Sequence, residues 1–150
     1  PTGTVSLAYH PTTGHLQAVS GPYGETLTYE RDGSLVTGVT LSGEVAGSVS
    51  FSYDKNLQLG AETVNGTSTV AYQYEADGRL TNAGALNFTL DAPTGRPTAS
   101  GLGQVTTALS YDSYGAVTQY SARFQSTALY AVGFPTRDAL GRIVEKHEEI

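Results

Sequence analysis

The sequence predicts an all-β protein built from tandem antiparallel β-hairpins in a twisted, curved sheet, open or spiralling. Three observations carry that prediction. The stretch VAYQYEADGRL, residues 70–80, alternates apolar and polar residues up to Tyr74, reverses at Asp77-Gly78 and resumes with apolar Leu80. Variants of this stretch recur along the whole chain, the mark of a repeat protein. Ten Tyr, four Phe, no Trp and 18 Gly, with Thr and Val abundant and no long run of helix-forming residues, favour strands joined by tight turns.

Seven hairpin repeats follow in order. The first runs from Val5 to Tyr9, turns through His10-Pro11-Thr12-Thr13-Gly14 and returns at His15-Leu16. The second has Leu27-Thr28-Tyr29, with Asp32-Gly33 turning into Leu35, and the third has Val49 to Asp54, with Lys55-Asn56 leading to Leu59. The fourth is the stretch quoted above, turning at Gly78. The fifth has Leu86 to Asp91 and a Pro93-Thr94-Gly95 turn; the sixth has Leu109 to Asp112 and Gly115 turning into Val117. The seventh is clear after its turn, as Arg137-Asp138-Ala139-Leu140-Gly141-Arg142-Ile143. Positions 9, 29, 53, 74, 90, 111 and 137 are separated by 20, 24, 21, 16, 21 and 26 residues, about 21 on average. The uneven steps place their insertions in the loops between hairpins, where extra residues cost little.

Turn chemistry fixes the register. If Ala76-Asp77-Gly78 form a three-residue loop with a left-handed Gly78, Glu75 opposes Arg79 and Tyr74 opposes Leu80. A two-residue Asp77-Gly78 turn would send Leu80 to the other face. The first and fifth repeats carry one more loop residue, and only the bulged reading still sets Tyr9 opposite Leu16. Alternation then draws a structural stripe of Tyr9, Leu16, Tyr29, Leu35, Phe51, Tyr53, Leu59, Tyr72, Tyr74, Leu80, Phe88, Leu90, Tyr111, Val117 and Ile143. The turn glycines are Gly14, Gly33, Gly78, Gly95, Gly115 and Gly141. A lone hairpin is marginal in water, so neighbours must supply the burial.

These residues resemble the YD repeat, also called the RHS repeat. The likeness lies in Tyr74-Glu75-Ala76-Asp77-Gly78-Arg79-Leu80-Thr81, in Tyr111-Asp112-Ser113-Tyr114-Gly115, in Arg137 to Ile143, and in the longer variant Leu90 to Arg96. The resemblance implies a spiralling β-sheet wound into a hollow shell, as in bacterial RHS and toxin-complex proteins that enclose a toxin, or in teneurins that carry a comparable shell on the cell surface. It implies residues 1–150 as a single array of about seven hairpins, short relative to a full shell, and a secreted or cell-surface location. Three positions depart from the pattern: Leu57 stands at a turn glycine, and Leu90 and Arg137 stand where Tyr is usual.

The chemistry of the sequence points away from catalysis. Without Cys there is no disulfide, thiolate nucleophile or thiolate metal site. With 14 acids against 8 bases, the formal charge of −6 offers no field for nucleic acid. No apolar run approaches the ~20 residues of a membrane helix, so no membrane insertion is expected. Pro1 opens the sequence without a signal-like segment, so the chain reads as a fragment or a mature form. Asp32, Asp77 and their counterparts read as turn residues. His10 and His15 face each other across one loop, but a metal would need two more ligands. Asn65-Gly66-Thr67 and Asn87-Phe88-Thr89 match the glycosylation sequon, as chance provides in a Thr-rich chain. The reading is a non-enzymatic wall segment with no catalytic, cofactor or metal residue. Its expected partners are itself or further repeats through the sheet edges, and an enclosed toxin or surface carbohydrate. The alternative is an adhesion module whose aromatic face binds carbohydrate or protein.

Overall fold

The computed structural model describes residues 3–150. Among them are fourteen β-strands and no helix, all paired neighbours running antiparallel. The chain divides into two compact units, Pro1–Tyr72 and Gln73–Ile150.

The first unit holds β1 (Ser6–Tyr9), β2 (Leu16–Ser20), β3 (Thr26–Asp32), β4 (Leu35–Ser42), β5 (Gly47–Tyr53), β6 (Leu59–Val64) and most of β7 (Ser68–Tyr74). Each strand pairs with the next in sequence. The second unit holds β8 (Leu80–Ala83), β9 (Leu86–Leu90), β10 (Pro97–Leu102), β11 (Val105–Tyr111), β12 (Val117–Phe124), β13 (Thr127–Arg137) and β14 (Ile143–Glu149), again paired in sequence order. Such linear orders leave each sheet open.

The bulged register appears in the hairpin pairs. Tyr9 pairs with Leu16, Tyr53 with Leu59, Leu90 with Pro97, Tyr111 with Val117 and Arg137 with Ile143. In the fourth repeat Glu75 N–H donates to Arg79 O at 3.0 Å and Gly78 N–H to Glu75 O at 2.9 Å, closing the three-residue loop. Leu57, in the glycine's place of the third repeat, adopts φ 62° like the glycines it replaces. An L-residue there carries strain that glycine does not.

The second repeat differs from the sequence reading. Asp32 pairs with Leu35 across a two-residue Gly33-Ser34 turn, and Tyr29 pairs with Val39. Strand alternation therefore puts Leu35 with Asp32 on the face opposite Tyr29. Pairing at the turn ends with the charged Asp32, so no aromatic residue demanded the bulged loop.

The repeat spacing has a second origin besides loop insertion. The shortest step, 16 residues, spans β8 and β9 of four and five residues; the longest, 26, spans β12 and β13 of eight and eleven. Gly84-Ala85, Gly103-Gln104 and Gln125-Ser126 join these strands in two residues each. Strand length makes the difference between these two steps, while the loops between hairpins also vary, from five residues at 21–25 to two at Gly84-Ala85.

Burial is slight. Among the described residues Val132, at 6% exposure, is the one buried apolar side chain. Val49, Phe51 and Tyr53 are half-buried while Ser50 and Ser52 between them are exposed, and Leu86, Phe88 and Leu90 alternate with Asn87 and Thr89 in the same way. An apolar face and a small polar face result, neither covered by a second layer within its unit.

Candidate functional site

Five of the hairpin loops are held by the residue that follows the aromatic position or its replacement. Asp54 Oδ1 accepts the N–H groups of Asn56 and Gln58 at 2.8 and 2.9 Å, and Asp112 Oδ1 those of Tyr114 and Ala116, both at 2.9 Å. Asp138 Oδ1 accepts from Leu140 and Arg142 at 3.0 and 2.9 Å. In the longer fifth loop Asp91 Oδ2 accepts from the Thr94 hydroxyl at 2.6 Å and its N–H at 3.0 Å. These bonds favour the ionised form, so the Asp91, Asp112 and Asp138 carboxyls sit below their ordinary pKa; the largest causes are the Thr94 hydroxyl, the Ala116 N–H and the Arg142 N–H. In the first loop His10 takes this position, its Nδ1 accepting from Thr12 and Thr13 N–H, both at 3.3 Å. Asp32 instead pairs in the β3–β4 ladder, and Asp77 Oδ2 lies 3.6 Å from Arg79 Nη2.

A second irregularity follows the turn in six of the hairpins. The residue after the returning apolar position is skipped by the ladder: Gln17, Gly60, Thr98, Thr118 and Val144. In β4 the skipped residue is Thr37. Such a bulge frees backbone groups and bends the strand locally. Three of the freed positions are filled from the next hairpin. Tyr53 Oη donates to Val36 O at 2.7 Å, Tyr111 Oη to Pro97 O at 2.7 Å and Arg137 Nη2 to Val117 O at 2.8 Å. Each acceptor is the carbonyl just before the skipped residue. Arg137 thus makes the bond a tyrosine makes elsewhere, while Leu90 carries no donor. Sequence reasoning placed Tyr53 and Tyr111 in an aromatic stripe and noted Arg137 as a departure, without a backbone partner for any of them; the excess of Tyr over Phe was its available signal.

Arginines link successive loops. A Cβ built on Gly95 would clash with the Arg79 guanidinium, and one on Gly115 would clash with that of Arg96. Both glycines have positive φ, 68° and 85°. The Arg96 guanidinium also lies over the Tyr111 ring, 5.7 Å from its centroid. Gly14, Gly33 and Gly141 have positive φ with nothing within 4 Å of a built Cβ. Gly78 has φ 78°.

Stripe residues are brought together within each unit. Leu80, Phe88, Leu90 and Pro97 line one shallow hollow with Arg79 and Gly95. Tyr72 and Tyr74 are half-buried on β7, and Ile143 is exposed on β14. Tyr9 is exposed at 57%. The most exposed rings are Tyr23 and Tyr114, both in turns and outside the stripe. No group of three or more His, Cys, Asp or Glu side chains able to hold a metal occurs among the described residues. Asn65 forms the β6–β7 turn, and its Oδ1 accepts from Ser48 N–H at 2.8 Å.

Aromatic or guanidinium donors on bulge carbonyls, aspartate-capped loops and a left-handed residue, mostly glycine, at the bends recur as one unit of construction. The family model for the teneurin YD-shell matches residues 1–150. The chain belongs to the teneurin YD-shell family. Among solved structures, the YD-shell chain is similar to one in the crystal structure of TcdB2-TccC3-Cdc42, at 14% identity and TM-score 0.71 over 92% of this chain and 9% of that one. It is likewise similar to a chain in the Photorhabdus luminescens Tc holotoxin pore with mutated TccC3, at 14% identity and TM-score 0.72, covering 97% of this chain and 9% of the other. At that identity the likeness is one of fold, and the chain spans about a tenth of those proteins' length. No curated protein matches the sequence.

Proposed function

We propose that this chain is a non-enzymatic wall segment of a YD-type β-shell, one array of hairpins whose shell encloses a toxin or forms an extracellular scaffold. The supporting observation is the in-order pairing of strands within each unit, whose half-buried apolar face no second layer of that unit covers. A face of half-buried rings needs further protein against it. The similar chains in Tc toxin structures support the toxin-enclosing version.

Further repeats add through β1. Its residues Ser6–Tyr9 are exposed throughout, and Leu7 and Tyr9 present an apolar edge. β14 is exposed as well but carries Glu145, Lys146, His147, Glu148 and Glu149, the charged kind of edge that resists pairing. The 150-residue chain in isolation should therefore self-associate at high concentration, and Leu7→Lys should suppress it in light scattering. A strictly monomeric wild type would count against the wall reading, as would cryo-electron microscopy of the parent protein showing β1 unpaired.

A further inference from the structure

In the first unit, a hollow of about 270 Å³ opens between the first hairpin loop and the β3–β4 turn. Its lining includes His10, His15, Leu16, Gln17, Tyr29 and Arg31, and no carboxylate. The second unit has a comparable hollow of about 290 Å³ between the fifth and sixth loops, where Arg96 is accompanied by Asp91 and Asp112. There two loop-holding aspartates share the hollow with the cation, and Arg96 helps to hold the Asp91 carboxyl below its ordinary pKa, after the Thr94 bonds. In the first hollow the loop-holding position is His10, His15 stands where Arg96 does, and the guanidinium is that of Arg31 on β3.

We propose that this hollow binds a saccharide bearing a carboxylate. Arg31 donates from Nη1 to Ser34 O at 3.2 Å and lies over the Tyr29 ring at 5.9 Å, and no ion pair to a carboxylate forms there among the described residues. Glu30, its neighbour on β3, is turned to the opposite face, where its carboxylate stands over Gly38. A planar guanidinium left with free donors matches a carboxylate two bonds at a time. His10 spends Nδ1 on the loop N–H groups, which leaves Nε2 as its proton-bearing nitrogen. Leu16 and the Tyr29 ring offer the apolar surface that the C–H face of a sugar ring covers. Gln17 offers an amide for its hydroxyls. The site does not depend on how the rest of the shell is assembled, so its test is separate from that of the wall reading.

The experiment is a titration of the isotopically labelled chain with glucuronate, glucose and acetate, followed by amide and imidazole shifts. Glucuronate should give saturable shifts at His10, His15 and Arg31, with glucose and acetate each at least about tenfold weaker. Arg31→Gln should weaken glucuronate about tenfold or more. His10→Asp, which restores the acid of the other loops and keeps their N–H acceptor, should abolish binding with an unchanged melting temperature. Absence of saturable shifts, equal binding of glucose or acetate, or unaltered glucuronate binding by His10→Asp would each overturn the proposal.

Discussion

The hydroxyl of Tyr111 donates to the carbonyl of Pro97 at 2.7 Å, tying one hairpin to the bulge of the one before it. A bulge that leaves a carbonyl without a ladder partner would lose a hydrogen bond's worth of stability, and the phenol restores it. Tyr53 on Val36 and Arg137 on Val117 repeat the arrangement. Tyr111→Phe should therefore cost about 0.5–1.5 kcal/mol in urea unfolding. Arg137→Leu should cost more, because it also removes the Nη1 bond to Gly141 O at 2.9 Å. A Tyr111→Phe chain as stable as the wild type would show that the phenol acts by packing alone.

Leu57 holds a backbone conformation suited to glycine, φ 62°, while its side chain is 66% exposed. Little packing is lost by removing it. Leu57→Gly should stabilise the chain by about 1 kcal/mol and raise its melting temperature by a few degrees. Gln125, at φ 53°, stands where Gly33, Gly84 and Gly103 hold φ 59° in the other two-residue turns, so Gln125→Gly should act in the same direction.

Gly115 and Gly141 separate backbone strain from the arginine contact. Both have positive φ, but only Gly115 has a guanidinium where a Cβ would go. Gly141→Ala should cost about 1–2 kcal/mol from the backbone alone. Gly115→Ala should cost more, and the excess should vanish in an Arg96→Ala background, read as the coupling in a double-mutant cycle.

Stability should fall at both ends of the pH range. Asp91, Asp112, Asp138, Glu145 and Glu148 have lowered pKa values in the folded chain; the leading cause for Glu145 is the Thr136 hydroxyl and for Glu148 the Tyr130 hydroxyl. Their contribution is complete above the ordinary carboxylate range and is lost as pH falls through the folded values, below about 4. Tyr130 and Lys146 are raised, each chiefly by its hydrogen bond to Glu148. Their contribution is complete below about 10 and is lost as pH rises through the folded values. Glu148→Gln should flatten the alkaline limb of a melting-temperature profile and leave the loop aspartates' acid limb in place.

The sequence by itself determined the strands, the bulged turn register of five hairpins and the all-β class. These follow from alternation and from turn residues within a few positions of one another, where the local chain carries the information. It erred at Leu35, because Asp32-Gly33 supports either of two turns and no aromatic residue stood near enough to choose. Tertiary structure alone decided which side chains answer the carbonyls freed by the second bulge, since Tyr111 and Pro97 lie 14 residues apart. The same holds for Arg96 resting on Gly115 and for the hollow that His10 leaves without an acid. A bulge is set by which strands lie side by side, and periodicity along one strand does not record its neighbour.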